Sequence, residues 1–174
     1  EPKDVIITIG GFLLGPMASF IVSLLVSLIE MITISETGPI GALMNLLSTC
    51  SFACVASLIY KRRHTLRGAV EGLLAGAVVM VGTMLLWNWL ITPLYMTGTS
   101  RSDVAAMLVP VFLPFNLLKA GLNSAFILLL YKPLVTALRK AHLVDAPKNP
   151  QVKKKTPWGI YLMALFLLAT CILL

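Results

Sequence analysis

The chain has 174 residues, of which 58% are hydrophobic and only 12% are charged, and its formal net charge is +7. Its mean hydropathy of +0.91 excludes a water-soluble domain, because a chain of this length has too little interior to bury so much apolar surface. Composition therefore predicts an all-α fold, a polytopic bundle of transmembrane helices. No nucleic-acid partner is expected, because no soluble domain is present to carry a folded basic face.

The first apolar stretch covers residues 5–14 and ends at Gly15-Pro16. It is too short to cross a bilayer as a straight helix, which takes about 20 residues. The pattern leaves open a half-helix or the first part of a kinked helix. Two full spans are predicted to follow, over residues 17–34 and 39–60.

A long span is predicted over residues 66–91, and Pro93 is expected to mark its end because proline cannot donate a backbone hydrogen bond. Residues 97–103 are polar and predict a loop.

The next span is predicted within residues 104–131, broken near its start by Pro110 and Pro114. Residues 132–155 are basic and contain proline, which indicates a linker. Residues 158–174 form a last apolar run, just long enough to span.

The distribution of lysine and arginine among the loops predicts the membrane topology. Basic loops remain in the cytoplasm, so the cluster at 61–67 and the segment 132–155 are assigned to the inside. The polar stretches at 35–38 and 97–103 are then outside, as is Glu1.

We single out five amide or ionisable side chains within the apolar segments, all of them towards the predicted outer side. Amide and ionisable groups inside spans usually face the bundle interior and often mark a substrate path. Their shared depth predicts a binding pocket that opens to the outside. The five are Asn45, Asn88, Asn116, Lys119 and, with the weakest case for function, Glu30.

Asn116 and Lys119 are three residues apart and therefore share one helical face. An amide that donates and accepts, beside a cation, suits a heterocycle with imide and carbonyl groups, or an anionic solute. The structural alternative is a helix–helix hydrogen bond for the asparagine and snorkelling of the lysine to the interface.

Aromatic residues flank Asn88 near the outer boundary, namely Trp87, Trp89 and Tyr95. Such residues usually form an interfacial belt. The alternative is a stacking wall for a flat ligand.

Glycine recurs at every fourth position from Gly68 to Gly76, which leaves a smooth stripe on one helix. Small residues at this spacing allow close helix approach. We interpret the stripe as a packing surface, within the bundle or against a partner protein.

The sequence contains no Walker A motif, no HExxH or GxSxG motif, and no carboxylate pair within a span. We therefore expect neither enzyme activity nor a cofactor or metal, and any uphill transport would need an ion gradient or another subunit. No aspartate lies in a full span, which weakens proton coupling.

Four segments resemble the substrate-binding S components of energy-coupling-factor (ECF) vitamin transporters, most closely the riboflavin-specific branch. They cover residues 2–30, 38–48, 87–96 and 114–134. The most specific is PFNLLKAGLNSAFILLLYKPL, the last of the four.

The resemblance implies a six-helix membrane protein of the bacterial plasma membrane that binds riboflavin near the outer face. It also implies a membrane coupling subunit and two cytoplasmic ATPases as partners. The family's substrate-binding positions fall on Asn116, Lys119, Asn88 and Asn45.

Two departures from the family are expected. The family's first helix has no counterpart here, so residues 1–134 would be the binding bundle of a chain that lacks an N-terminal part. Residues 135–156 would be a basic cytoplasmic linker, and residues 157–174 an additional transmembrane segment.

Three alternatives remain open at this point. The first is an S component for another vitamin, such as pantothenate or folate. The second is a membrane assembly protein without a ligand. The third is an ion-coupled transporter that works alone, which inverted repeats would favour.

Overall fold

The computed structural model describes residues 1–33, 38–96 and 98–140. These residues form helices almost throughout. The helices are α1 (Pro2–Leu14), α2 (Pro16–Thr33), α3 (Gly38–Arg63), α4 (Leu66–Tyr95), α5 (Arg101–Met107), a π-helical segment (Leu108–Phe112) and α6 (Leu113–Lys140).

The described part of the chain contains four helical stretches long and apolar enough to cross a membrane. They are α2, α3, α4 and the continuous stretch from α5 through residue 134 of α6. The four spans predicted within this part of the chain, and the all-helical membrane fold, are therefore confirmed. Helix α3 packs against α1, α2 and α4, while α6 packs against α1 and α4.

The junction at Gly15 separates α1 from α2. Gly15 has a φ of 100°, a region that glycine enters without steric cost. Its N–H donates to the Gly11 carbonyl at 2.8 Å, and Pro16 opens α2 at a position where a missing N–H costs nothing. The first apolar stretch is thus a separate short helix, largely buried against α2, α3 and α6.

Helix α2 is inside out compared with a helix of a soluble protein. Its buried residues are Ser19, Ser23 and Ser27, spaced four apart, while its large apolar side chains are exposed. Ser19 Oγ donates to the Ile7 carbonyl at 3.2 Å, and Ser23 Oγ donates to the Ser19 carbonyl at 2.7 Å. Small hydroxyl residues at a helix interface with apolar residues towards lipid are the pattern of a membrane bundle.

The glycine stripe of α4 packs on α3. A Cβ at Gly72 would lie 2.6 Å from the Ala56 carbonyl oxygen, and a Cβ at Gly76 would lie 2.6 Å from the Phe52 carbonyl oxygen. The interpretation of the stripe as a packing surface is confirmed for these two glycines, and the surface lies within the bundle.

Gly76→Ala is expected to lower the stability of the bundle by about 2 kcal/mol, because the added methyl group meets rigid backbone and forces α3 and α4 apart. Thermal unfolding in detergent measures the effect. Gly82 of the same helix is the matched control, since a Cβ there meets nothing within 4 Å. Gly82→Ala should be neutral or slightly stabilising, because alanine favours the helix. Equal losses in both variants would contradict the packing argument.

Two helix boundaries differ from those expected. Helix α4 continues through Pro93 to Tyr95, where the Met96 N–H donates to the Thr92 carbonyl. Helix α5 begins inside the predicted 97–103 loop, because Ser100 and Asp103 form a capping box. Near residue 110, where a break was predicted, the helix instead continues through a π-helical segment.

Helix α6 continues to Lys140, so the first residues of the predicted 132–155 linker are helical. Residues 141–156 and the predicted last span, 157–174, lie outside the described residues.

Candidate functional site

A cavity of about 430 Å³ opens among the first turns of α3, the last turns of α4 and the first turns of α6. It lies at the end of the bundle opposite the basic cluster that closes α3. All four site residues predicted from the sequence line it, although they come from three helices. These residues are Asn45, Asn88, Asn116 and Lys119.

Asn116 is held in the cavity wall by the π-helical segment before it. Pro110 lies within this segment and has no N–H to donate, which favours a locally widened turn. Asn116 Nδ2 donates to the Phe112 carbonyl at 2.8 Å, and the side chain is buried. Within the described residues no donor reaches its Oδ1. The amide therefore keeps one acceptor and one further N–H for a ligand.

Lys119 points into the bundle and not to the interface. Its Nζ lies 2.9 Å from Glu1 Oε1, 3.1 Å from Ser48 Oγ and 3.6 Å from Asp4 Oδ2. Its side chain is only 12% exposed. Lys119 is therefore a largely buried cation paired with two carboxylates, an environment that disfavours the snorkelling alternative.

Asp4 is the functional candidate that sequence reasoning missed. Its side chain is 1% exposed, although it lies on the short helix α1. Its carboxylate accepts a hydrogen bond from Thr49 Oγ1 at 2.7 Å and another from Asn123 Nδ2 at 3.1 Å. Three helices thus converge on one buried carboxylate beside Lys119. In the sequence Asp4 directly precedes the short apolar stretch at residues 5–14, and no local pattern indicates that it is buried.

Asn88 and its neighbours form a hydrogen-bonded ladder on α4. Asn88 Nδ2 donates to the Met84 carbonyl at 2.7 Å, and its Oδ1 accepts from Thr92 Oγ1 at 3.0 Å. Thr92 Oγ1 also lies 3.2 Å from Tyr95 Oη. Asn88 is thus fixed in one orientation, with its amide at the cavity surface.

Asn45 is oriented by Glu30, which does not itself line the cavity. Asn45 Nδ2 donates to Glu30 Oε2 at 3.2 Å, and the Lys3 ammonium donates to the same carboxylate. This cluster ties α1, α2 and α3 together next to the cavity. Glu30 is accordingly a residue that positions Asn45.

The cavity walls are apolar and partly aromatic. Of the aromatic residues that flank Asn88, only Tyr95 lines the cavity. Trp87 packs against the core and Trp89 is exposed. Two phenylalanines that sequence reasoning did not single out, Phe112 and Phe115, supply further ring surface.

The charged side chains at and beside the cavity are three carboxylates, those of Glu1, Asp4 and Glu30, and two ammonium groups, those of Lys3 and Lys119. Burial would raise the pKa of the Glu1 carboxyl, but the nearby Lys119 and Lys3 ammonium groups hold that pKa below its usual value. Lys119 therefore brings no unbalanced positive charge to the cavity. Among the described residues, no group of three or more potential ligands could hold a metal ion.

Comparisons with known proteins match the chain over most of its length. The family model of the ECF transporter substrate-specific component matches residues 1–131. The riboflavin transporter RibU of Staphylococcus aureus (strain TCH60) is 30% identical over 143 residues, which are 79% of this chain and 75% of the relative.

A solved structure, the S component of a bacterial ECF transporter, has the same fold with a TM-score of 0.63. The two sequences are 30% identical, and the aligned region covers 78% of this chain and 77% of the chain of the solved structure. These matches favour the predicted substrate-capture role over the assembly protein and the lone ion-coupled transporter. The chain belongs to the family of substrate-specific components of ECF transporters.

Proposed function

We propose that this chain binds riboflavin in the cavity lined by Asn45, Asn88, Asn116 and Lys119, and that it presents the vitamin for uptake. The observation that carries the proposal is that these four side chains line one cavity with apolar and aromatic walls. Ligand sites typically combine such walls with a few well-placed polar groups. RibU, with which the chain shares 30% identity, is a riboflavin transporter.

The polar groups of the cavity match the chemistry of a flavin ring. One edge of that ring carries an imide N–H between two carbonyl groups, and the rest is flat and largely apolar. The free Oδ1 of Asn116 can accept from the imide, while its Nδ2 and the Lys119 ammonium can donate to the carbonyl oxygens. Tyr95, Phe112 and Phe115 offer ring surface to the flat faces.

The chain is a multi-pass protein of the cell membrane and a binding subunit of a transporter, not an enzyme. It carries no Walker A motif. We propose that a membrane coupling subunit and two cytoplasmic ATPase subunits supply the energy, and that the cavity opens to the outside. The basic residues at the opposite end of the bundle support this orientation through the positive-inside rule.

The charge arrangement favours riboflavin over the other vitamins considered. Pantothenate and folate carry carboxylates at neutral pH, whereas riboflavin is uncharged. Because Glu1 and Asp4 already neutralise Lys119, a carboxylate ligand would enter a site with an excess of negative charge.

The test is to purify the full-length protein in detergent from riboflavin-rich and riboflavin-free media. We expect a flavin absorption spectrum in the first preparation only. Added riboflavin should raise the melting temperature of the second, since a ligand at about 100 times its Kd stabilises by about 2.7 kcal/mol. Pantothenate and folate are the comparison ligands. A melting temperature that rises with either of them and not with riboflavin would overturn the proposal, as would no rise with any vitamin.

A further inference from the structure

We propose that Asp4, together with Glu1, sets the charge preference of the cavity, so that neutral flavins bind and flavins with an anionic group are disfavoured. In this inference Asp4 is a positioning residue, since it acts through Lys119 and through its own field. The inference rests on the proposed function, because it concerns which flavin the same cavity accepts.

Asp4 has the geometry of a fixed charge. Its carboxylate is buried and accepts hydrogen bonds from Thr49 of α3 and Asn123 of α6. The same carboxylate lies 3.6 Å from the Lys119 ammonium. Hydrogen bonds from two other helices hold the group in one place, so its field at the cavity does not depend on side-chain motion.

Without the two carboxylates, Lys119 would be an attractive site for an anion. An almost buried ammonium group is a strong anion-binding feature, and the Lys119 side chain is only 12% exposed. Glu1 lies 2.9 Å from it on one side and Asp4 lies on another. Glu1 Oε1 and Ser48 Oγ accept two of the three ammonium N–H groups. One N–H group remains for a carbonyl oxygen of the ligand, while the two carboxylates cancel the net attraction of Lys119 for anions.

The size of the effect follows from Coulomb's law. Two unit charges about 10 Å apart, at an effective dielectric constant of about 20, interact by an amount equivalent to about tenfold in affinity. A cavity of about 430 Å³ keeps a bound ligand near this range of both carboxylates. The buried Asp4 carboxylate should therefore disfavour a ligand anion by about tenfold. Glu1 should contribute less, because it is 41% exposed and is also paired with Lys3 at 3.2 Å.

The experiment measures the Kd of riboflavin and of flavin mononucleotide for the full-length protein, by quenching of flavin fluorescence. The two ligands share the ring and the ribityl chain, and they differ by a phosphate group. The quantity of interest is the ratio of the two Kd values. We expect Asp4→Asn to lower the ratio of flavin mononucleotide to riboflavin Kd by about tenfold. Glu1→Gln should lower it by a smaller factor, because Glu1 is partly exposed and is also paired with Lys3.

The matched control is Thr49→Val, which removes a hydrogen bond to Asp4 at 2.7 Å and leaves both carboxylates charged. This variant should weaken the binding of both flavins by the same factor, so that the ratio stays at the wild-type value. A purely structural role for Asp4 predicts that Asp4→Asn behaves in the same way as Thr49→Val.

An unchanged ratio in a folded Asp4→Asn variant overturns the role of Asp4, whatever Glu1→Gln does. If Asp4→Asn does not fold, Glu1→Gln decides, because Glu1 is partly exposed and tolerates the change more easily; an unchanged ratio there overturns the inference. Failure of the proposed function is distinct, since the wild-type protein would then bind neither flavin.

Discussion

Asn116→Ala is expected to weaken riboflavin binding about 100-fold, and Asn116→Ala combined with Lys119→Ala more than about 1000-fold. A site built to hydrogen-bond a ligand loses far more than one contact when the protein partner is removed, because the polar group of the ligand is then buried unpaired. Asn116 is itself buried, so water cannot easily replace its amide. Isothermal titration or flavin fluorescence quenching of the purified protein measures the loss.

Lys61→Ala is the control for this pair of substitutions. Lys61 is exposed in the last turn of α3, at the end of the bundle away from the cavity. The Lys61→Ala substitution removes the same positive charge as Lys119→Ala, but at a position away from the cavity. Riboflavin affinity within a fewfold of wild type is expected. Full affinity in the double variant at residues 116 and 119 would show that the vitamin binds elsewhere or not through these groups.

Lys119→Met is expected to destabilise the ligand-free protein by about 3 kcal/mol or more, since it leaves the buried carboxylate of Asp4 without its cation. Adding Asp4→Asn to this variant should restore part of the loss, because the uncompensated charge disappears. The double variant should therefore melt at a higher temperature than Lys119→Met alone. Thermal unfolding in detergent of Lys119→Met, Asp4→Asn and the double variant gives a double-mutant cycle, which measures the coupling energy between the two residues.

The exposed ion pair between Arg63 and Glu71 is the control for the stability effect of the buried Lys119–Asp4 pair. Arg63 and Glu71 interact at 2.7 Å, but both side chains are about half exposed. Exposed pairs contribute about 0–1 kcal/mol, so Arg63→Met and Glu71→Gln should have small and additive effects. Additive effects at Lys119 and Asp4 as well would mean that the buried pair is not energetically coupled.

The sequence was sufficient for the spans and for the four cavity residues. Hydropathy reports which segments lipid can solvate, and the depth of a polar residue in its span follows from its position along the helix. Asn45, Asn88, Asn116 and Lys119 share one depth, which is why a common pocket could be predicted for them. That they bind a ligand remains a prediction.

The missed features depend on contacts between distant segments. Asp4 lies on a helix too short to be recognised as a span, so nothing in its neighbourhood indicates burial. Its partners, Thr49 and Asn123, are 45 and 119 positions away. Pro93 was expected to end α4, yet the helix continues to Tyr95. Near a helix end the missing proline N–H costs a single hydrogen bond, which tertiary packing can offset.

The short, charged helix α1 has a consequence for biogenesis. It carries the buried carboxylate of Asp4, whose partners Thr49, Lys119 and Asn123 lie on α3 and α6, and a charge without a partner is costly inside a membrane. The translocon is therefore not expected to insert α1 during synthesis. Its carboxylate finds Lys119 and Asn123 only after α6 has been made. Ribosomes stalled before α6 should thus carry chains with α1 still accessible to water-soluble labels, and the proposed binding cavity would be complete only once α6 has been inserted.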